Sequence, residues 1–294
     1  MPKRNWLFSL LAFAGLWSVA LPVSGQALLP YTPQLNSEQL EQQGLELAQE
    51  AVQLVRFQQY ELALPRAKLA AQLAPNRFQT WFILGSLYLQ QDEFDEGIEA
   101  LQQARSLAPE EAQILFALGS AYFQSGNYTA ALAELEAGLK IEPDVPEALF
   151  DLGNVHLMLE QFPEAIASYE KAFAQNQKFW PAINNIGLIK YEQGDVQGAI
   201  ENWQKAIAIN REQAEPQLAV AVALYTQGQW EKGLKLGEAA LDIDSRYADL
   251  EFLKENLWGD RLLKDTEAFL ETPQMQAILA RFQEQLPEIE TAPE

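Results

Sequence analysis

A glycine returns every 34 residues through the middle of this chain, at Gly85, Gly119, Gly153 and Gly187. Two further columns keep the same period of 34: Ala63, Gly97, Ala131, Ala165, Ala199 and Gly233, and then Ala70, Ala104, Gly138, Ala172, Ala206 and Ala240. Pro75, Pro109 and Pro143 add a fourth. A 34-residue unit started at Gly44 is written six times, over 44–77, 78–111, 112–145, 146–179, 180–213 and 214–247. A chain built this way folds as an array of one supersecondary unit, because each copy has to bury its apolar face against the next.

Each unit carries two apolar stripes at helical spacing, such as Phe116, Leu118, Gly119 and Tyr122 followed by Ala131, Leu132, Leu135 and Leu139. Gly126, Gly194 and Gly228 stand where a first helix has to stop, and glycine supplies the left-handed exit. Small residues in the Gly119 and Ala131 columns let the two helices of a unit approach closely. The prolines end the second helix of the early units. Gln177, Arg211 and Ser245 replace that proline in the last three units, where looser turns are expected, and Ala221 replaces the glycine. The first unit, with Leu47, Ala51 and Leu54 in place of aromatic and glycine features, reads as a terminal copy.

The second unit reads Trp81, Leu84, Gly85, Tyr88, Gly97, Leu101, Ala104 and Pro109. These positions are similar to the W-x2-L-G-x2-Y…A-x3-F…A…P pattern of the tetratricopeptide repeat (TPR) family. The resemblance implies an all-α, right-handed superhelical solenoid of about six helix-turn-helix repeats with C-terminal capping helices. Residues 248–286 are expected to supply that cap, through Leu250, Leu253, Leu257, Leu262 and Phe269 and a shorter stripe of Met275, Ile278, Leu279 and Phe282. Residues 28–43 read as linker and the start of the first helix, capped at Asn36 or Ser37, and 287–294 as a disordered acidic tail. The C-terminal region also resembles that of exported TPR assembly factors of photosynthetic bacteria and plastids.

In that family the first helices line a concave groove through positions 2, 5, 9, 12 and 13 of each unit. Carried onto this chain, the positions hold Phe82, Phe116, Phe123, Phe150, Leu188, Tyr191 and Tyr225, an apolar row suited to an extended or helical peptide. The polar members are few, among them Gln79, Gln90, Gln113, Gln124, Asn184 and Glu192. Some TPR proteins grip a peptide's terminal carboxylate with two Asn and several basic residues. Asn154 and Asn185 match the Asn pair, whereas Phe150, Glu215 and Ala219 stand where the basic residues would be. The pair can hold a peptide backbone, or it can be bonded locally. His156 falls in a helix-packing column and reads as a satisfied side chain.

Composition narrows function further. A formal charge of −21 disfavours nucleic acid and anionic membrane surfaces. With no Cys and one His, thiolate chemistry, iron–sulfur clusters and His-rich metal sites are excluded, and no cofactor is expected. The expected function is a non-enzymatic scaffold that binds a protein or peptide. Alternatives are an assembly factor for a membrane complex, such as a photosynthetic one, and an enzyme using carboxylates alone, for which no suitable pair is visible. At the N-terminus, Lys3 and Arg4 precede an apolar run at 6–23, with Gly25 and Ala27 placed for cleavage after Ala27. A cleaved signal over 1–27 directs export to a periplasm or thylakoid lumen; the rival is an uncleaved anchor at 6–23. Membrane association is expected only through that anchor or through a membrane-complex partner.

Overall fold

The computed structural model describes residues 36–285, with side chains through Arg281. The expected signal or anchor, the linker up to residue 35 and the acidic tail lie outside the described residues, as does the side chain of Phe282 in the last stripe. Among those described, every regular element is helical. Twelve helices form six consecutive antiparallel pairs: α1 (Ser37–Arg56) with α2 (Tyr60–Leu73), α3 (Phe78–Leu89) with α4 (Phe94–Leu107), α5 (Ala112–Gln124) with α6 (Tyr128–Ile141), α7 (Pro146–Met158) with α8 (Phe162–Gln175), α9 (Trp180–Glu192) with α10 (Val196–Ile209), and α11 (Ala214–Thr226) with α12 (Trp230–Ile243). Each pair packs on the next. After a 3-10 turn at Ser245–Ala248 come α13 (Leu250–Glu255), α14 (Asp260–Leu270) and α15 (Pro273–Gln285). Helix α1 begins at Ser37, so the first pair starts ahead of the unit frame set at residue 44.

The pairs are locked by exchange of size between two columns. A methyl group added at Gly85 or Gly119 would sit 2.7 or 2.5 Å from Leu101 or Leu135, and one at Gly153 or Gly187 would sit 2.5 or 2.4 Å from Tyr169 or Trp203. Each glycine is the hole for a large side chain on the second helix of its own unit. The sixth unit inverts the arrangement, with Ala221 on the first helix and Gly237 in the column of the large residue. The space over Gly237 is taken by Phe269 of α14, whose ring would lie 2.5 Å from an added methyl. Phe269 is fully buried. Helix α14 therefore supplies the large side chain that the sixth unit lacks.

Both turns of the repeat have a physical explanation. The residue fifteen places into every unit is left-handed: Gln58, Asp92, Gly126, Glu160, Gly194 and Gly228 all have φ between 57° and 89°. Glycine occupies only three of these six places, so three units hold a side chain in a region that disfavours one. The expected looser turns after α8, α10 and α12 do not occur. Where proline is missing, the residue before it closes the turn with its own side chain. Asn176, Asn210 and Asp244 each accept a hydrogen bond at 3.0 Å from the backbone N–H two residues on, at Lys178, Glu212 and Arg246.

Candidate functional site

The face made by the first helices is different at its two ends. On α3, α5 and α7, Phe82, Phe116, Phe123 and Phe150 are half-buried. Each packs one side into the array: Phe116 lies over Gly138, Phe123 is 5.5 Å from the Tyr128 ring, and Phe150 sits between Tyr169 at 5.5 Å and Phe179 at 5.3 Å. Their other sides face out beside exposed Gln79, Gln90, Gln113 and Gln124. A cavity of about 200 Å3 opens beside Phe82, walled by Val52, Val55 and Leu87.

On α9 and α11 the same positions are covered. Leu188 and Tyr191 are buried in the core, and Tyr225 packs edge-on against Phe269 at 5.3 Å. The placement of Leu188 and Tyr191 on an open groove is thereby corrected: the C-terminal segment lies over them. The C-terminal helices thus do more than cap, because α14 packs against both α9 and α11. The contacts are specific. The Glu192 carboxylate accepts the backbone N–H groups of Arg261 at 3.0 Å and Leu262 at 2.9 Å, capping the positive end of α14. The Tyr191 hydroxyl donates to Asp265 at 2.6 Å, while the Arg261 guanidinium lies 4.9 Å over the Tyr191 ring and donates to its carbonyl at 3.0 Å. Burial, together with the Asp265 hydrogen bond, raises the phenol's pKa.

A buried polar rail runs beneath this contact. The Trp258 indole donates to Glu215 Oε1 at 3.1 Å, and the Asn184 amide donates to the same oxygen at 3.0 Å. That amide also donates to Asn185 at 3.2 Å. Asn185 donates to Asn154 Oδ1 at 3.1 Å, and the Tyr169 hydroxyl donates to that oxygen at 2.7 Å. Asn154 and Asn185 do meet, but as a buried pair bonded to each other, which is the local alternative. Burial pushes the Glu215 carboxyl up to about 7, against the pull of the Trp258 and Asn184 hydrogen bonds. His156 is buried, with Nδ1 2.7 Å from Gln161 Oε1.

Asp151 lies on α7, at the unit position that Asn185 holds on α9. It is half-buried and makes no hydrogen bond or ion pair with the described residues. Burial, with the Glu147 charge adding to it, pushes its carboxyl up to about 7. Between the open and covered halves, a cavity of about 360 Å3 separates Leu157, Met158 and Phe162 from Leu257, Trp258 and Leu263. Sequence reading misses Trp258 and Arg261 as members of this surface, and with them the partners of Glu215 and Glu192. Their signal is the apolar run on α11 from Leu218 to Tyr225, since a helix apolar on every side needs cover on every side.

Comparison with known proteins places these features in a family. A tetratricopeptide repeat profile matches residues 84–144 and 116–178, and a second TPR profile matches 187–228. The profile of the ChAPs, Chs5p-Arf1p-binding proteins, matches residues 32–103. A search of curated proteins found no match by sequence. Among solved structures the chain is similar to PilW, described as a widely conserved type IV pilus biogenesis factor, with a TM-score of 0.63 at 19% identity over 80% of this chain and 98% of that one. It is similar to Pseudomonas aeruginosa PilF, with a TM-score of 0.61 at 14% identity over 75% and 98%. It is also similar to YrrB, described as a TPR protein with an unusual peptide-binding site, with a TM-score of 0.52 at 19% identity over 65% and 95%. At these identities the likeness is one of fold. With its six helix pairs, its 34-residue columns and the matched profiles, the chain carries tetratricopeptide repeats over residues 84–178 and 187–228.

Proposed function

We propose that this protein is an interaction scaffold that holds a peptide or a helical segment of a partner on the open half of its first-helix face, across α3, α5 and α7. One observation carries the reading. The chain's own helix α14 lies on the equivalent face of α9 and α11, so a helix docked against these positions already exists in cis. The half-buried Phe82, Phe116, Phe123 and Phe150 set a row of apolar side chains along α3, α5 and α7, of the kind that takes a partner. Proteins of this family are in the main interaction scaffolds, and no enzyme is proposed.

The N-terminal run supports placing the scaffold outside the cytoplasm, with a cut after Ala27, an uncleaved anchor at 6–23 being the competing form. Amino-terminal sequencing of the native protein distinguishes the two. The binding surface is tested with a photo-crosslinking residue at Phe116 or Phe150, and with Ile141, exposed on α6, as the control. Adducts with a partner from native extract are expected at the first two positions. Adducts at Ile141 alone would move the site to the other helices.

A further inference from the structure

The groove carries three partly or fully buried carboxylates, and the chain's own C-terminal segment answers two of them. Glu215 receives the Trp258 indole N–H, and Glu192 receives the first backbone N–H groups of α14. The third, Asp151, stands one repeat before Asn185 on the open side and receives nothing from the described residues. Its place in the register explains why. Beneath Asn185 lie Asn154 and the Tyr169 hydroxyl, both of which bond to it. The corresponding residues beneath Asp151 are Ser120 and Leu135, one short hydroxyl and one buried aliphatic side chain, and no bond forms.

We propose that Asp151 is the reading point for a Lys or Arg of the partner, and that the occupant of the open half-groove is an amphipathic helix with a basic residue facing α7. The proposal rests on the scaffold reading above and names the chemistry of its ligand. Three observations converge on that chemistry. Phe116, Phe123 and Phe150 share the open half with the carboxylate and match an apolar stripe. The chain as a whole carries a formal charge of −21, which draws basic segments towards it. Arg261 of α14 shows in cis how a cation sits on this surface, over a groove aromatic and bonded to a backbone carbonyl. A cavity lined by Met158 at the end of α7 and by Leu257 and Gly259 separates α7 from the α13–α14 turn. A charge placed in a half-buried position with no partner is costly, and an incoming guanidinium or ammonium relieves that cost with a charge-assisted bond.

The experiment uses the full chain and three fluorescein-labelled helical peptides of about 18 residues, long enough to span α7. Each carries one Leu stripe, the polar face being Lys, Gln or Glu, and is titrated by anisotropy at physiological salt. The Lys peptide is expected to bind at least tenfold more tightly than the Gln peptide, and the Glu peptide more weakly still. Asp151→Asn is expected to weaken the Lys peptide about fivefold and to leave the Gln peptide unchanged. Glu136→Gln, which removes one exposed carboxylate from α6, is expected to alter neither by more than the scatter of the fit. Asp151→Lys is expected to reverse the order of the Lys and Glu peptides. Phe116→Ala is expected to weaken both the Lys and Gln peptides alike. If Asp151→Asn and Glu136→Gln have the same effect, or if Asp151→Asn has none while Phe116→Ala still weakens binding, the assignment of Asp151 is overturned and the groove reading stands. If Phe116→Ala changes nothing for any peptide, or no peptide binds, both fall. Circular dichroism of each variant establishes that the solenoid is intact.

Discussion

Helices α3 and α11 occupy the same place in their units, and they meet different surroundings. Helix α3 carries the bulkier apolar side chains, with Phe78, Trp81, Phe82, Ile83, Leu84, Leu87, Tyr88 and Leu89, yet only Thr80, Leu84, Gly85 and Leu87 are buried. Helix α11 is built from smaller residues and is buried at every position from Ala214 to Ala223. Composition does not set this order. Burial along the array is decided by where α14 lies, and the end without it keeps large apolar surface at the water boundary.

The contrast can be broken most sharply at Phe269. Truncating it to Ala empties the space over Gly237 and should cost about 3–5 kcal/mol, with loss of hydrogen-exchange protection in α9 and α11 before α3 and α5. Adding Gly237→Leu, which restores the size found at Leu101 and Leu135, should recover part of that loss. A loss below about 1 kcal/mol would mean that α14 does not hold the covered half.

Glu215 gives the next effect. Its carboxyl is raised from 4.5 to about 7 in the folded protein, so the native state binds the extra proton between those values. Stability contributed by the neutral acid is therefore fully present below 4.5 and is lost as pH rises through about 7. Both donors reach the single oxygen Oε1, which Gln also offers. Glu215→Gln should then raise stability at alkaline pH by roughly 2–3 kcal/mol and flatten the slope between about pH 5 and 8. Asp151 titrates with the same sign, so Asp151→Asn should flatten the remainder. A denaturation series across that range decides it; a slope untouched by both variants would place these carboxyls in water.

Asn185→Ala should cost about 1–2 kcal/mol, because Asn154 and Tyr169 lose a buried partner. The smallest change has the opposite sign. Glu160 sits at φ 57° where Gly126, Gly194 and Gly228 stand in other units. Glu160→Gly should stabilise by about 0.5–1 kcal/mol, and Asp92→Gly likewise, as read from thermal unfolding.

The repeat, its helix pairs and the left-handed turns at Gly126, Gly194 and Gly228 are legible because they recur, whereas those at Gln58, Asp92 and Glu160 carry no glycine to mark them. The turns at Asn176, Asn210 and Asp244 are legible in kind but not in tightness, since the missing proline is conspicuous and the side chain before it is not. Asn154 and Asn185 are recognisable as groove positions, but which partner an amide takes depends on what lies within about 3 Å, and Tyr169 reaches them from the second helix of the unit. The course of α14 is least legible. It lies beyond the last repeat, where no column guides it, and its contacts with Tyr191 and Glu192 span some seventy residues.

The borrowing of Phe269 by the sixth unit has a consequence for synthesis. A chain that has emerged only as far as Tyr247 already contains every repeat, yet the slot over Gly237 is vacant and α9 and α11 have no cover. Units near the N-terminus can close as they appear, in the order in which they are made. The last two wait for a helix that follows them in the chain. Ribosome-bound chains of increasing length should therefore gain protease resistance unit by unit up to α8, and then gain the rest in one step once Leu270, the last residue of α14, has left the tunnel. A product that terminates early would carry a sound front and a ragged, apolar back, which is the kind of chain that quality-control proteases remove.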